Sequence, residues 1–134
     1  MTTIETEKSI SPNNISLLYG FLTDLSNYEK LMPSDKIENW EANQEQCSFV
    51  IKGMSRIGLK LKDSEHPNKV ILESNGKVPF DFELQLLLRE QAEEQTAVQI
   101  IFHGKINPFM KMMVEQPLKN FFDQLVKKAS DIKL

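Results

Sequence analysis

The chain has 134 residues, with 16 lysine and arginine residues against 19 aspartate and glutamate residues, so its formal net charge is −3. Hydrophobic residues make up 40%, which is ordinary globular usage, and this length suffices to bury a core without disulfides or metal. A pI near 5.4 argues against a surface built for the nucleic-acid backbone. The single cysteine, Cys47, excludes an internal disulfide. We therefore predict one domain over residues 1–134, without a nucleic-acid partner.

Targeting signals and catalytic motifs are missing from the sequence. The first residues lack the basic region and apolar run of a signal peptide, and no apolar run approaches the ~20 residues that span a bilayer. We expect a cytoplasmic protein without stable membrane insertion. Glycine-rich phosphate loops, zinc-protease motifs and nucleophile elbows are also missing. The sequence thus predicts no cofactor and no metal.

The first third of the chain predicts one strand and two short helices. Residues 3–10 alternate in a period of two, which is typical of a strand. Ser11-Pro12 then predicts a helix start, with serine as N-cap and proline in the first turn. Apolar residues follow at helical spacing, namely Ile15, Leu18, Leu22 and Leu25. A second helix from about Asn27 is predicted to end at Met32-Pro33, because the residue before proline disfavours helix.

Residues 36–106 predict six antiparallel strands joined by short turns. They are 37–42, 47–52, 57–62, 70–74, 80–89 and 96–106. Asn75-Gly76 predicts a type I′ hairpin turn, since both residues tolerate positive φ. Within each strand the apolar side chains alternate with polar ones, as in Phe80, Phe82 and Leu84. One face of the sheet is therefore apolar and requires a covering layer.

The last segment supplies that layer. Asn107-Pro108 predicts a second helix start, and the helix should run to the end of the chain. Its apolar residues recur on one stripe, namely Met110, Met113, Val114, Leu118, Phe121, Leu125, Ala129 and Ile132. Pro117 lies within this pattern and predicts a kink, because it removes one backbone hydrogen bond.

This order of elements resembles the Bet v 1/START-like superfamily, also known as helix-grip or polyketide cyclase/dehydrase-like proteins. Ser11-Pro12, Phe21-Leu22-Thr23-Asp24, Asn27-Tyr28 and Leu31-Met32-Pro33 are similar to the opening that is common in small bacterial members. The resemblance implies an α+β helix-grip fold, in which a curved antiparallel sheet grips a long C-terminal helix. It also implies a hydrophobic cavity between the two, which in family members binds lipids, sterols, polyketides, quinones or hormones. No catalytic set is carried over.

Our leading hypothesis is a non-enzymatic carrier or sensor for an apolar small molecule or lipid. The one-sided strands, the Met- and Phe-rich helix and the resemblance motivate it. The predicted lining consists of Trp40, Phe49, Ile51, Leu59, Leu72, Ser74, Phe80, Phe82, Met110, Met113, Val114 and Phe121. For Trp40 two alternatives stay open: its ring either caps the core or lines the cavity with its N–H offered to a ligand.

Two other functions compete with ligand binding. A cyclase or dehydratase would need an inward acid or hydroxyl, for which Glu73, Ser74 and Thr6 are the candidates. A co-chaperone-like interaction module would instead expose an apolar patch around Phe109, Met112 and Phe122. The sequence identifies no protein partner. His103 is expected to face solvent, and Cys47 to be a small buried hydrophobe.

Overall fold

The computed structural model describes all 134 residues, in eight strands and three helical segments. The strands are β1 (Thr2–Glu5), β2 (Ser9–Ser11), β3 (Ile37–Ala42), β4 (Gln46–Ile51), β5 (Arg56–Glu65), β6 (Lys69–Ser74), β7 (Phe82–Ala92) and β8 (Gln95–Gly104). The helical segments are α1 (Ile15–Leu22), a 3₁₀ segment (Leu25–Leu31) and α2 (Pro108–Asp131). The predicted α+β order is confirmed, except that the first predicted strand is split into β1 and β2.

All strands form one curved antiparallel sheet in the order β1-β8-β7-β6-β5-β4-β3, with β2 also paired to β8. Each strand from β3 to β8 is hydrogen-bonded to the next along the chain, so the predicted meander is confirmed. Thr6 causes the split between β1 and β2. Its hydroxyl accepts a hydrogen bond from the Ile100 N–H at 3.0 Å, so a side chain takes a place in the ladder that a backbone carbonyl would otherwise fill.

Two local predictions are wrong, and both depended on short motifs. Ser11 does not cap a helix, because it pairs with Thr96 at the end of β2. Asn14 is the cap of α1, where its side-chain oxygen accepts a hydrogen bond from the Ser16 N–H at 2.9 Å. The β6–β7 connection is not a type I′ turn either, since only Gly76 has positive φ. Asn75 instead donates its N–H to the Gly58 carbonyl at 2.9 Å, which prolongs the pairing of β5 with β6.

Helix α2 covers the apolar face of the sheet mainly with the part that follows Pro117. It begins as predicted, with the Asn107 side chain accepting a hydrogen bond from the Met110 N–H at 2.8 Å. It continues through Pro117, which lies on the exposed side of the helix. The buried stripe begins one residue later and comprises Leu118, Phe121, Phe122, Leu125, Val126 and Ala129. These side chains join α1, the 3₁₀ segment and the sheet in one hydrophobic core.

The buried residue Asn13 fastens the C-terminal end of α2 to the rest of the fold. Asn13 donates to the Ile132 carbonyl at 2.7 Å and accepts from the Leu134 N–H at 2.7 Å. The backbone carbonyl of Asn13 accepts a hydrogen bond from the hydroxyl of Thr96, at the start of β8, at 2.8 Å. Asn13 is almost fully buried, so its own side-chain groups have no access to water and depend on these partners. Asn13 thus joins the end of the helix to the sheet, through its side chain on one side and its backbone carbonyl on the other.

Replacing this side chain tests its role. We expect Asn13→Ala to lower the free energy of unfolding by about 3 kcal/mol, because it removes the side-chain bonds to the Ile132 carbonyl, the Leu134 N–H and the buried Ser11 hydroxyl. Urea unfolding monitored by circular dichroism measures the change. Asn120→Ala is the matched control, since it removes only the exposed side-chain bond between Gln116 and Asn120. Equal stability of the two variants would contradict the role given to Asn13.

Candidate functional site

An apolar cavity lies between the sheet and α2. Four walls enclose it: the end of α1, the 3₁₀ segment, the inner face of the sheet and the buried stripe of α2. All 21 lining residues are hydrophobic. They are Leu22, Tyr28, Leu31, Met32, Phe49, Ile51, Ile57, Leu59, Phe80, Phe82, Leu84, Leu86, Val98, Ile100, Phe102, Leu118, Phe121, Phe122, Leu125, Val126 and Ala129.

The free space inside this cavity is small, about 30 Å³. Since one water molecule needs roughly 10–15 Å³ of such space, the cavity has room for a few water molecules at most. Water needs several polar partners to stay in a buried space, and the walls offer none. The only polar group among the lining side chains, the Tyr28 hydroxyl, already donates to the Leu22 carbonyl at 2.8 Å. The cavity is therefore dry and nearly closed.

Aromatic rings cross the cavity in a continuous series. Phe49 stacks on Phe121, with ring centroids 5.7 Å apart, and Phe121 meets Phe122 edge-on at 5.9 Å. Phe122 contacts Phe102 at 5.6 Å, and Phe102 stacks on Phe82 at 5.5 Å. These rings come from β4, α2, β8 and β7. Aromatic contact thus joins the helix to both halves of the sheet.

Half of the residues predicted from the sequence lie on the cavity wall. They are Phe49, Ile51, Leu59, Phe80, Phe82 and Phe121. Leu72 is fully buried but belongs to the core beside the cavity. The ring of Trp40 stacks on the outer side of Phe49 at 5.8 Å, which places it one layer behind the wall. Of the two alternatives for Trp40, its position fits the one in which it covers the core.

The predicted lining on the first turns of α2 lies elsewhere. Met110 and Val114 are partly buried and pack against the core outside the cavity. Met113 is 63% exposed and faces away from the sheet, as do Phe109 and Met112. The predicted stripe was too wide here, because Met113 lies on the face of α2 opposite the residues from Leu118 to Ala129, whereas Met110 and Val114 face the core without reaching the cavity. Phe122, which we assigned to an exposed patch, is buried in the cavity wall.

The polar candidates for catalysis do not reach the cavity. Glu73 forms a salt bridge with Lys60 at 3.4 Å on the outer face of the sheet. The Ser74 hydroxyl accepts a hydrogen bond from the Phe82 N–H at 3.2 Å, and the Thr6 hydroxyl bonds the backbone of β8. Each of the two hydroxyls serves a neighbouring strand. None of the three side chains is among the residues that line the cavity, which is where the cyclase or dehydratase alternative required an acid or a hydroxyl.

Sequence reasoning missed the wall formed by the 3₁₀ segment. Tyr28 and Leu31 line the cavity, and Leu25 is buried beside them. These three residues recur at intervals of three, which is the period of a 3₁₀ helix. That period was available in the sequence. An α-helical reading obscured it, because intervals of three also occur in amphipathic α-helices.

Burial shifts the pKa values of two side chains near this wall, Cys47 and Tyr28. Burial raises the pKa of the Cys47 thiol to about 12. Burial also raises the pKa of the Tyr28 hydroxyl, and the nearby Cys47 adds to the shift. Both groups are thus neutral around pH 7. An uncharged, buried thiol is a poor nucleophile, so Cys47 acts here as a small hydrophobe.

Comparison with known proteins defines the fold but no closer relationship. No family model matches this sequence, and no curated protein matches it. Among solved structures, the chain is similar to a conserved protein from Geobacillus kaustophilus (TM-score 0.71, 13% identity, covering 97% of this chain and 93% of that one). It is also similar to a protein from Thermus thermophilus (TM-score 0.72, 13% identity, 97% and 95% covered). A START superfamily protein from Mycobacterium smegmatis has a TM-score of 0.68 and 11% identity, with 98% and 99% covered.

These likenesses extend over nearly the whole chain at low identity. The chain therefore has a START/Bet v 1-like helix-grip fold, as its order of elements predicted. The relationship concerns the fold and carries no ligand or activity with it. Neither of the two α-helices is long and apolar enough to cross a membrane.

The raised pKa values predict a loss of stability at alkaline pH. Unfolding exposes the Cys47 thiol, whose ordinary pKa is 9.0, whereas the folded value is about 12. Between these values the unfolded chain binds fewer protons than the folded one, so the free energy of unfolding falls as the pH rises. The slope from this thiol approaches about 1.4 kcal/mol per pH unit. Tyr28 adds a loss of the same sign at higher pH.

Urea unfolding between pH 8 and pH 11 measures this slope. Cys47→Ala is the informative variant, because it should flatten the pH dependence between pH 9 and pH 11 although it lowers stability overall. An unchanged slope in that variant would show that the thiol does not cause the effect.

Proposed function

We propose that this protein binds a slender apolar ligand, a small hydrophobic molecule or one hydrocarbon chain of a lipid, between the sheet and α2. The observation that supports the proposal is the lining, which is hydrophobic at all 21 positions. Such walls favour burial of apolar surface at roughly 25 cal/mol per Å² and provide no site for a charged or strongly hydrogen-bonding group. Any polar end of the ligand would remain outside the cavity.

The small free space sets a condition on this binding. A ligand larger than about 30 Å³ must displace part of the wall. The strands are held by the hydrogen bonds of a continuous ladder and resist separation. Helix α2 packs on the sheet through side chains, and its backbone hydrogen bonds stay within the helix or at its cap. We expect the helix wall to yield, in side-chain rotamers or by a small shift.

The composition of the wall is suited to such adjustment. Met32 has a flexible, polarisable side chain that repacks around differently shaped neighbours at little cost. Leu118 and Phe121 lie just after Pro117, where one backbone hydrogen bond of the helix is missing. Displacement of these side chains away from Phe49 and Phe82 would open space at the centre of the aromatic series.

A ligand screen with a matched pair of variants tests the proposal. Fatty acids of increasing chain length, quinones and a sterol are screened by thermal shift, and hits are confirmed by native mass spectrometry. Leu86 and Leu88 are both buried on the same face of β7, but only Leu86 lines the cavity. Both Leu→Phe substitutions should cost about 1–3 kcal/mol through overpacking. We expect only Leu86→Phe to abolish the thermal shift caused by the ligand.

Two results would contradict the proposal. In the first, no apolar compound of the series raises the melting temperature or stays bound in native mass spectrometry. In the second, Leu88→Phe weakens binding as much as Leu86→Phe, which would place the ligand outside this cavity.

A further inference from the structure

Three large apolar side chains are exposed on the first two turns of α2. Phe109, Met112 and Met113 are 74%, 88% and 63% exposed. Their spacing of three and four residues places them on one face of the helix, opposite the buried stripe that begins at Leu118. Phe and Met side chains on the surface usually occur singly, whereas this cluster forms a small contiguous patch. Neither the core nor the cavity uses it.

Cationic side chains lie at the same end of the molecule as this patch. The chain segments at this end of the sheet include 33–36, 52–56, 75–81 and 105–115, and we call their cations the basic rim. They are Lys36, Lys52, Arg56, Lys77, Lys105 and Lys111. Hydrogen bonds join these segments: Lys52 N–H donates to the Lys36 carbonyl at 2.9 Å, and Lys105 N–H donates to the Asp81 carbonyl at 2.9 Å. Arg56 donates to the Lys77 carbonyl at 3.1 Å. The basic rim is thus one connected part of the surface.

The charge of this end is opposite to that of the whole chain. Six of the 16 lysine and arginine residues lie in these segments, with only three of the 19 carboxylates, those of Asp35, Asp81 and Glu115. The remainder of the chain holds ten cations and sixteen carboxylates. Lys111 forms a salt bridge with Glu115 at 3.6 Å. The other five cations of the basic rim form no salt bridge, so they contribute most of the positive potential at this end. These segments thus carry a positive net charge although the whole protein is acidic. The patch of Phe109, Met112 and Met113 lies at the same end, and we call it the apolar tip.

We propose that this end docks reversibly on the surface of an anionic lipid bilayer. Phe109, Met112 and Met113 would enter the boundary between headgroups and acyl chains, where exposed apolar side chains at a helix terminus are stabilised. Lysines of the basic rim would lie at the phosphate level, where each cation gains attraction to anionic lipid. The acidic remainder of the protein faces away from the membrane, which orients the molecule.

A second copy of the chain fits this surface poorly. A two-fold contact would place the basic rim of one molecule against that of the other, and like charges repel across such an interface. A head-to-tail contact between the basic rim and the acidic remainder of another molecule would not close and would produce chains of molecules. A bilayer satisfies both the apolar tip and the surrounding cations at once. The docking surface lies outside the cavity, so it can be tested whether or not the cavity binds a ligand.

Vesicle co-sedimentation tests the docking. The full chain is mixed at low salt with vesicles of phosphatidylcholine alone or with added phosphatidylglycerol. We expect binding to the anionic vesicles, weaker binding to the neutral ones, and loss of binding as salt is raised. Met112→Asp/Met113→Asp should reduce partitioning at least tenfold. Lys77→Gln/Lys105→Gln should reduce it by about fivefold for each lysine, which corresponds to about 1 kcal/mol per cation.

Matched variants control for general effects. Leu17→Asp replaces a half-exposed apolar residue on α1, and Lys8→Gln/Lys128→Gln removes two exposed cations outside the basic rim. These should bind anionic vesicles as the parent protein does. All changed side chains are exposed, so unchanged melting temperatures are expected and are measured alongside.

Three outcomes would overturn the proposal. The first is no sedimentation with anionic vesicles at low salt. The second is binding that the control variants weaken as much as the rim and tip variants. The third is a concentration-dependent dimer in analytical ultracentrifugation that Met112→Asp/Met113→Asp dissolves, which would assign the apolar tip to self-association.

Discussion

The fold depends on covering the apolar face of a single antiparallel sheet. An antiparallel meander alternates its side chains, and in β7 and β8 this alternation places a continuous apolar surface on the inner side. Exposure of that surface to water would be costly, and no second sheet is present to cover it. Helix α2 after Pro117 covers it, together with α1 and the 3₁₀ segment. The size of the cavity and the exposed side chains at the start of α2 both depend on how closely these helices pack on the sheet.

The cover fits tightly at one end of α2 and ends early at the other. Asn13 connects the chain after α2 to the start of β8, and the buried stripe from Leu118 to Ala129 fills most of the space above the sheet. What is left is a dry cavity of about 30 Å³. The first turns of the same helix pack Met110 and Val114 against the core and expose Phe109, Met112 and Met113 on the other side. One helix thus supplies both an internal apolar wall and an external apolar tip.

This division of α2 explains why parts of the site could not be predicted. Helical periodicity assigns residues to a face, and Phe121, which it assigned to the stripe, lies on the cavity wall. Met113 was included in that stripe although, at about 100° per residue, it lies nearly opposite Leu118 and Phe122 and is exposed. Periodicity cannot tell how far along its length a helix reaches a cavity, so Met110 and Val114 were placed in the lining although they pack against the core outside it. The inward faces of the strands were easier to predict, because alternation along paired strands fixes which side chains share a face. Phe49, Ile51, Leu59 and Phe82 all lie on the wall.

Short local motifs were less reliable than long patterns. Ser11-Pro12 and Asn75-Gly76 both have residues suited to a cap or a turn, yet each segment is drawn into pairing with a distant strand. The strand pairing provides hydrogen-bond partners for the backbone N–H and C=O groups that a cap or turn would otherwise have satisfied. Which strand lies nearby is decided by the tertiary structure. Asn107-Pro108 lies beyond the end of β8, where no strand competes, and there the predicted helix start is confirmed.

The amino-acid sequence by itself determined the order of the elements, the apolar faces of the strands and the presence of one long covering helix. These properties follow from periodic burial, which is written residue by residue along the chain. Only the tertiary structure decided how much space remains under the helix, which side chains of the 3₁₀ segment reach it, and that the basic rim and apolar tip share one end. Those properties depend on distances between segments far apart in sequence, and no local pattern encodes such distances.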